Sequence, residues 1–461
     1  MSSGFVLEPQ KKVPVVYDVD VVVAGSGVAG IFAAIAAARA GAETVLVERF
    51  AYPGGNIGPG MIAGGSLSGG RIKHLCGGFT GIPREFIERH MALGGGSVPE
   101  SPNLGDLSPS PSPVVQDGLY YLKDSSIAAH VALEMLHESG VKPLFSSFIA
   151  DPILSDNRVC GIFVENKSAR QAVKAKVVID ATGEADVAMR AGAPMIYPHS
   201  SYYDIDKHGP GGAGVYYAVG GVDTEKYHAH LEEQKSLGGD LRLGKSAEGG
   251  FLTGRHGPER VDHQDGKYGH DGLKLSNDET EIRMEIFEKV QSWKRAIPGF
   301  ENAYLMLISP YLGARGGPCI EGEYTVTTED LKAGRRFPDV LYVFAHTGWF
   351  GPMGALAWDD PKRDQARVSS SWTDFPYRAM LPKGVDGLLA VGRSASGIPD
   401  TLLRSRMMVM HMGQVGGTAA ALAVKNGVTP KDLNVKTLQQ KLLEDGFYLG
   451  DCARLKALDL A

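Results

Sequence analysis

Apolar positions cluster first at Val19, Val21, Val22 and Val23, a β-branched run of the kind that parallel sheets bury on both faces. The run ends in a glycine turn, Gly25-Ser26-Gly27-Val28-Ala29-Gly30, and the alanine-rich stretch from Ile31 to Arg39 predicts a helix able to lie close to a sheet. Thr44 to Val47 predicts a second apolar strand, closed by Glu48. Further on, IPREFIERHMALGGG has the spacing of an amphipathic helix stopped by glycines, and DSSIAAHVALEMLHESG that of a capped helix ending at Gly140. KPLFSSFIADPILSDNRVCGIFVEN alternates as strands joined by a turn, a β-meander. Val177 to Ile179 is a short buried strand running into Asp180-Ala181-Thr182-Gly183.

The pattern changes between about 200 and 375. Strand-like GVYYAVGG, a polar histidine-bearing stretch, a helix around Glu279–Trp293 and a mixed region up to Trp372 predict an inserted α+β domain. The earlier character then returns. GVDGLLAVGRSAS predicts a strand and turn, and RMMVMHMGQVGGTAAALAVKNG an alanine-rich helix ending at Gly427. The fold expected is therefore α/β: a Rossmann-like dinucleotide domain over 15–200 and 376–461, with a mixed α+β substrate domain inserted over 201–375.

The glycine turn carries the first chemistry. In a G-x-G-x-x-G turn between strand and helix, Gly25 allows the sharp turn and Gly27 lets backbone approach a pyrophosphate. Gly30 permits close helix–strand packing, and the helix N-terminus faces the anion. Glu48, at the end of the second strand, stands where a carboxylate binds ribose hydroxyls and would repel a 2′-phosphate, which argues against NADP. The double glycine Gly54-Gly55 a few residues on suits a flavin dinucleotide better than NAD.

Composition narrows the class. The 461 residues have a net charge of −6, which gives no electrostatic reason to expect nucleic acid or anionic membrane as partner. No apolar run approaches the roughly 20 residues of a membrane span, and the N-terminus lacks the apolar core of a signal peptide, so the expected location is the cytoplasm. The four cysteines, Cys76, Cys160, Cys319 and Cys452, form no C-x-x-C pair, so neither a redox dithiol nor the usual zinc spacing is present. The histidines at 228, 230, 256, 263 and 270 lack tight ligand spacing, and no metal is expected.

Three separated segments, the N-terminal fingerprint with Glu48, VVIDATG, and GLLAVGR with the helix after it, could surround one extended cofactor. In this the chain resembles FAD-dependent oxidoreductases of the glutathione-reductase-like superfamily. SARQAVKAKVVIDATGEADVA, GQVGGTAAALAVKNGVTPKDLNVKTLQQKL and EGEYTVTTEDLKAGRRFPD are similar to the branch related to fumarate reductase and succinate dehydrogenase flavoproteins. The resemblance implies noncovalent FAD, since no histidine or cysteine adjoins Gly54-Gly55. It implies that Gly25, Gly27 and Gly30 approach the pyrophosphate, Glu48 holds the ribose and Arg49 lies by the adenosine. Gly55 and Asn56 would sit beside the pyrophosphate and flavin, and Ile149 would offer backbone to adenine. Gly183, Gly392 and Arg393 would approach the cofactor, and a helix start at Gln414–Thr418 would point toward the flavin. The chain departs from the family pattern at Gly397-Ile398-Pro399-Asp400 and Arg315-Gly316-Gly317-Pro318, both where substrate would be handled.

The reaction implied is hydride transfer between flavin N5 and a small organic substrate: oxidation of an alcohol or C–C bond, or reduction of an activated alkene. A flavin monooxygenase, or a flavin-carrying subunit of an electron-transfer assembly, is the alternative. Three residues are candidates for binding substrate or moving a proton. Arg404 precedes the C-terminal helix, and its planar guanidinium suits a carboxylate or carbonyl, though a surface or phosphate-binding arginine reads the same. His346 ends an apolar strand in VFAHTGWFGP, and His411 lies within a methionine-rich helix where a packed histidine is equally expected. The partner expected is a small-molecule substrate, with no nucleic acid and no membrane, and a homo-oligomer is left open.

Overall fold

The computed structural model describes residues 4–58, 63–66, 73–75, 78–97, 120–197, 214–236, 246–247, 251–256, 271–313, 317–346, 372–397 and 405–461. Its principal elements in the first part are β1 (Val15–Ala24), α1 (Val28–Arg39), β2 (Thr44–Val47), α2 (Gly81–Ala92), α3 (Ser125–Glu138), β3 (Lys142–Leu144), β4 (Phe148–Ser155), β5 (Arg158–Asn166), β6 (Ala169–Asp180) and α4 (Asp186–Arg190). The middle part holds β7 (Val215–Gly220), α5 (Thr224–Ser236), β8 (Phe251–His256), α6 (Gly272–Ala296) and β9 (Tyr304–Ile308). β10 (Val340–His346), β11 (Thr373–Pro376), β12 (Leu388–Ala390) and α7 (Arg406–Asn426) follow.

A seven-stranded sheet runs β3–β2–β1–β6–β5–β4, with β12 also paired to β6. β1 is parallel to β2 and β6, β2 to β3, and β6 to β12. β6 is long enough to serve both parts of the expected pattern. One edge pairs parallel with β1 from Ala172 to Asp180, while the other pairs antiparallel with β5 over Ala169–Lys174 to make the meander and parallel with β12 over Val178–Asp180. Alternation along β1 puts Val21 and Val23 against one core and Val22 and Ala24 against another, so the sheet is covered on both faces.

α1 and α7 lie side by side over one face. Their contact needs glycine: a Cβ on Gly413 would sit 2.2 Å from the Ala29 carbonyl oxygen, and one on Gly417 2.1 Å from that of Ala33. Both partners advance by four residues, so the two helices run parallel, and the first two turns of α7 extend past the start of α1. α7 is also, among the described residues, the one helix long and apolar enough to cross a bilayer, contrary to the sequence expectation that no such run exists. Of its most apolar window, 89% is buried inside the protein. Its apolarity is explained by the core it fills.

Within 201–375 the described residues do not share one core, and Ile320 packs with Val22 and Ala24 beside the main sheet. β7, β8 and β9 belong to a four-stranded antiparallel sheet whose core of Val215, Tyr217, Ile282, Ile286, Val290 and Phe300 is its own. β10 instead pairs with β11 on one side and with Lys73–Leu75 on the other, and Val340 to Phe344 and Phe375 share the core of α1 and α7. α6 begins at Gly272, earlier than the apolar pattern predicts, because the Asp271 carboxylate accepts from the Leu273 and Lys274 N–H groups and caps it.

Candidate functional site

Glycine geometry separates packing from ligand approach. Gly25 has φ +98°, and a Cβ there would lie 2.8 Å from the Ala181 carbonyl oxygen. A Cβ on Gly30 would fall 1.8 Å from the Gly25 carbonyl oxygen, and on Gly55 2.8 Å from the Gly27 Cα. These three are glycine because protein surrounds them. Gly27 is different. No protein atom lies within 4 Å of its would-be Cβ, and it faces a cleft of about 460 Å³. It is also the N-cap of α1 and has no side chain to satisfy the first-turn N–H groups. Uncapped donors and a bare backbone, both turned to one cleft, fit a pyrophosphate.

Glu48 is 7% exposed and spans the turn. Its Oε2 accepts from the Ser26 N–H and hydroxyl, both at 2.8 Å, and its Oε1 accepts from the Phe50 N–H at 3.0 Å. The carboxylate thus ties the glycine turn to the end of β2 while still lining the cleft. Glu48→Ala should strike twice. It should cost roughly 2–4 kcal/mol of stability by orphaning buried donors and weaken dinucleotide binding roughly 10- to 100-fold. Denaturant melts of the apo chain separate the first effect from the second, and Glu48→Gln, which keeps an acceptor oxygen, should lose less stability than affinity.

The opposite wall comes from β6 and β12. The Asp180 carboxylate, wholly buried, accepts from the Thr182 N–H and hydroxyl and from the Val187 and Ala188 N–H groups, folding the chain back into α4. The Ser394 hydroxyl accepts from the Gly183 and Ala185 N–H groups and ties this turn to the one after β12. Gly183 and Gly392, both at positive φ, are thereby set in the cleft wall. A Cβ on Gly392 would press on Ala29 and Val409 at 3.1 and 3.4 Å, so this turn also marks where α1 and α7 meet. Arg393 lies 3.6 Å from Glu184, and both line the cleft.

At the far end Phe148 and Ile149 line the cleft, and the Arg190 guanidinium donates to the Ile149 and Ala150 carbonyls at 3.1 and 2.8 Å. Arg49, Phe50 and Tyr311 form a stack. The two rings are 4.8 Å apart and 23° from parallel, with the guanidinium 4.9 and 5.2 Å from their centres. Such aromatic and cation–π contacts contribute roughly 0.5–1.5 kcal/mol each.

Of the residues singled out in the sequence, Gly25, Gly27, Glu48, Arg49, Gly55, Asn56, Ile149, Gly183, Gly392 and Arg393 all line this one cleft, and Gly30 packs behind it. Gln414 and Thr418 do not. They lie two and three turns inside α7, which starts at Arg406. Backbone N–H groups at mid-helix are used within the helix, so no helix start exists there. Arg406 and Val409 hold the place expected of them, in the cleft wall. Gln414 instead reaches α2: its Oε1 accepts from the Ile82 N–H at 2.9 Å and its Nε2 donates to Asp445 at 3.3 Å.

His411, expected as a proton carrier, is a packing residue. It is wholly buried between Phe79 and Phe447, its Nε2 accepts from the Thr80 N–H at 3.0 Å, and its Nδ1 lies 2.7 Å from the Met407 carbonyl. A neutral ring with the proton on Nδ1 satisfies both partners, and burial lowers its pKa to about 4. Arg404 lies outside the described residues. His346 pairs with Lys73 at the end of β10, and its side chain too lies outside them. Sequence reasoning missed Phe50, Thr182, Glu184, Asp186, Tyr216 and the segment Tyr311–Gly313, all in the wall. For Phe50 and Thr182 adjacency to the motifs was a usable signal.

A family described as FAD dependent oxidoreductase matches residues 20–442. The chain belongs to that family. It is an oxidoreductase, and its cofactor is FAD. It is also similar to the thiamine thiazole synthase of Aeropyrum pernix, 30% identical over 183 residues, 37% of this chain. The match spans 57% of that curated relative's length. Solved structures with likeness include a geranylgeranyl bacteriochlorophyll reductase-like protein from Thermoplasma acidophilum, with TM-score 0.42 and 15% identity over 94% of this chain and 84% of that one. Another is the p-nitrophenol 4-monooxygenase PnpA from Pseudomonas putida, with TM-score 0.42 and 12% identity over 96% of this chain and 92% of that one.

Proposed function

We propose that this oxidoreductase transfers a hydride between FAD and a small organic substrate, oxidising an alcohol or C–C bond or reducing an activated alkene. FAD bound in the cleft supplies the hydride chemistry at N5. The glycine turn and α1 start would hold the pyrophosphate, and Glu48 the ribose. The observation that carries the reading is the start of α7. Its N-cap, Ser405, makes no side-chain cap, and Arg406 and Val409 of its first turn line the cleft beyond the glycine turn. A positive helix end with an arginine beside it favours the negative charge that accompanies reduction of the ring. Arg404, two residues upstream, would then orient a substrate carboxylate or carbonyl, and His346 would exchange the proton.

The reading includes noncovalent FAD and a nearer kinship with fumarate reductase and succinate dehydrogenase flavoproteins, supported by the VVIDATGEADVA and GQVGGTAAALAV segments. It also includes an enzyme of the cytoplasm that meets no nucleic acid or anionic membrane, the latter supported by the net charge of −6, and that associates, if at all, with its own copies. Anaerobic bleaching of the flavin by a panel of hydroxy acids, sugars and enoates tests the hydride step. Bleaching by one class is the expected result. Silence across the panel, with NAD(P)H oxidised and one atom of the consumed oxygen recovered in an organic product, would make the protein a monooxygenase. Once a substrate is found, Arg404→Lys should slow flavin reduction at least 10-fold with FAD retained, because the planar fork is lost. A normal rate in that variant removes Arg404 from the reading.

A further inference from the structure

Three residues of the middle part, Tyr311, Leu312 and Gly313, stand in the wall of the cofactor cleft opposite the loop after β2. Tyr311 holds that loop by the stack on Phe50 under Arg49, and its hydroxyl donates to the Asn56 Oδ1 at 3.4 Å. From behind, the segment is tied to the middle part's own core. Gly313 and Gly214 exchange backbone hydrogen bonds of 3.0 and 3.2 Å, and the Leu312 N–H donates to the Glu279 carboxylate on α6. Arg283, one turn along α6, donates to Glu279 at 2.7 Å and to the Ser309 carbonyl at 3.1 Å. The segment is thus rigid toward α6 and joined to the cofactor loop by a ring stack and one long hydrogen bond.

Gly313 adds an independent observation. Its backbone is not at positive φ, and a Cβ on it would meet only the Gly214 carbonyl oxygen at 3.5 Å and Asn56 Oδ1 at 3.9 Å, ordinary contacts. As with Gly27, nothing in the protein requires glycine here, yet the residue faces the cleft. We propose that Tyr311–Gly313 is a cofactor latch, which closes over the adenosine half of bound FAD and so couples FAD retention to docking of the β7–β9 unit on the dinucleotide half. The inference rests on FAD occupying this cleft. Because coupling between two binding events is reciprocal, whatever affinity the latch gives FAD, FAD returns as stability of the docked middle part.

The test uses the full-length chain, stripped of FAD and reloaded, with two readouts that do not need turnover. These are the FAD dissociation constant from quenching of flavin fluorescence, and amide hydrogen exchange across 271–313. In the wild-type protein FAD should slow exchange in this segment. Tyr311→Ala should raise the dissociation constant about 10-fold, the equivalent of one or two aromatic contacts, and abolish most of that protection, while Tyr311→Phe should keep both. Gly313→Ala should leave apo exchange and melting unchanged, since the protein has room for the methyl, yet weaken FAD. That variant keeps the idea exposed to failure even if Tyr311→Ala folds poorly. The proposal falls if Gly313→Ala binds FAD as tightly as wild type, or if exchange over 271–313 ignores FAD. A wild-type chain that binds no FAD at all would instead overturn the cofactor reading beneath it.

Discussion

Gly27→Ala should yield a folded protein without its yellow colour. A Cβ at this position meets no protein atom within 4 Å, so the apo chain has no reason to rearrange. The methyl would project into the cleft from the N-cap of α1, where the backbone must come close to the cofactor's pyrophosphate. Forcing the anion away from the uncapped first-turn N–H groups sacrifices several charge-assisted hydrogen bonds together, so FAD affinity should fall roughly 100-fold or more. Gly30→Ala gives the contrast. Its methyl would overlap the Gly25 carbonyl oxygen at 1.8 Å, and the turn itself should fail, with little soluble protein recovered. The ratio of flavin to protein absorbance, with a thermal melt of the apo chain, distinguishes the two outcomes. A Gly27→Ala protein purified with stoichiometric FAD would mean that the pyrophosphate does not lie against this turn.

Acid should destabilise the fold through His411, starting from near-neutral pH. Its folded pKa, about 4, lies below the usual value of 6.5 because burial penalises the charged ring. The unfolded chain therefore takes up the proton first as pH falls. Stability is fully present above about pH 6.5, declines between about 6.5 and 4, and levels off below. The loss attributable to this one residue is about 3 kcal/mol across that window. His90 adds to the slope in the same direction. It too is buried, between Tyr120 and the Asp124 carbonyl, and its pKa is likewise lowered by desolvation. Denaturant midpoints measured from pH 8 to pH 4 should show the decline. His411→Gln should start lower at pH 8, because the tie to Thr80 is disturbed, but lose less on acidification. A wild-type profile flat to pH 4.5 would show that the ring is not held neutral.

His411 and Gln414 also show why part of the site could not be read along the chain. As i and i+3 they share a face of α7, and in an apolar helix polar residues so placed can serve a cofactor or tie helices together with the same local pattern. Their partners, Thr80 and Ile82, are 331 and 332 residues away in sequence. Both ends of that contact look unremarkable locally: α2 begins at a Thr80 N-cap that makes no side-chain cap, and only the docked α7 shows what satisfies its first N–H groups. The misplaced helix start at Gln414 has another origin. That start was implied by the family resemblance and not by the apolar run, which begins at Arg406, and Gly413 and Gly417 are glycine so that α7 can lie against the carbonyls of α1.

What local sequence determined was the cofactor half. A β-branched run, a glycine turn, an alanine helix and an acid at the end of the next strand are constrained by contacts within about 30 residues, and β1, α1, β2 and Glu48 take those places. Gly183 and Gly392 were implied by the family resemblance and not by local pattern; both follow strands at positive φ and line the cleft. Tertiary structure alone decided the rest of the wall. Phe50 meets Tyr311, and the turn after β12 meets the start of α7, only because the sheet and the β7–β9 unit bring distant segments together. Stacking and close packing depend on where side chains arrive in space, and periodicity along a chain carries no record of that.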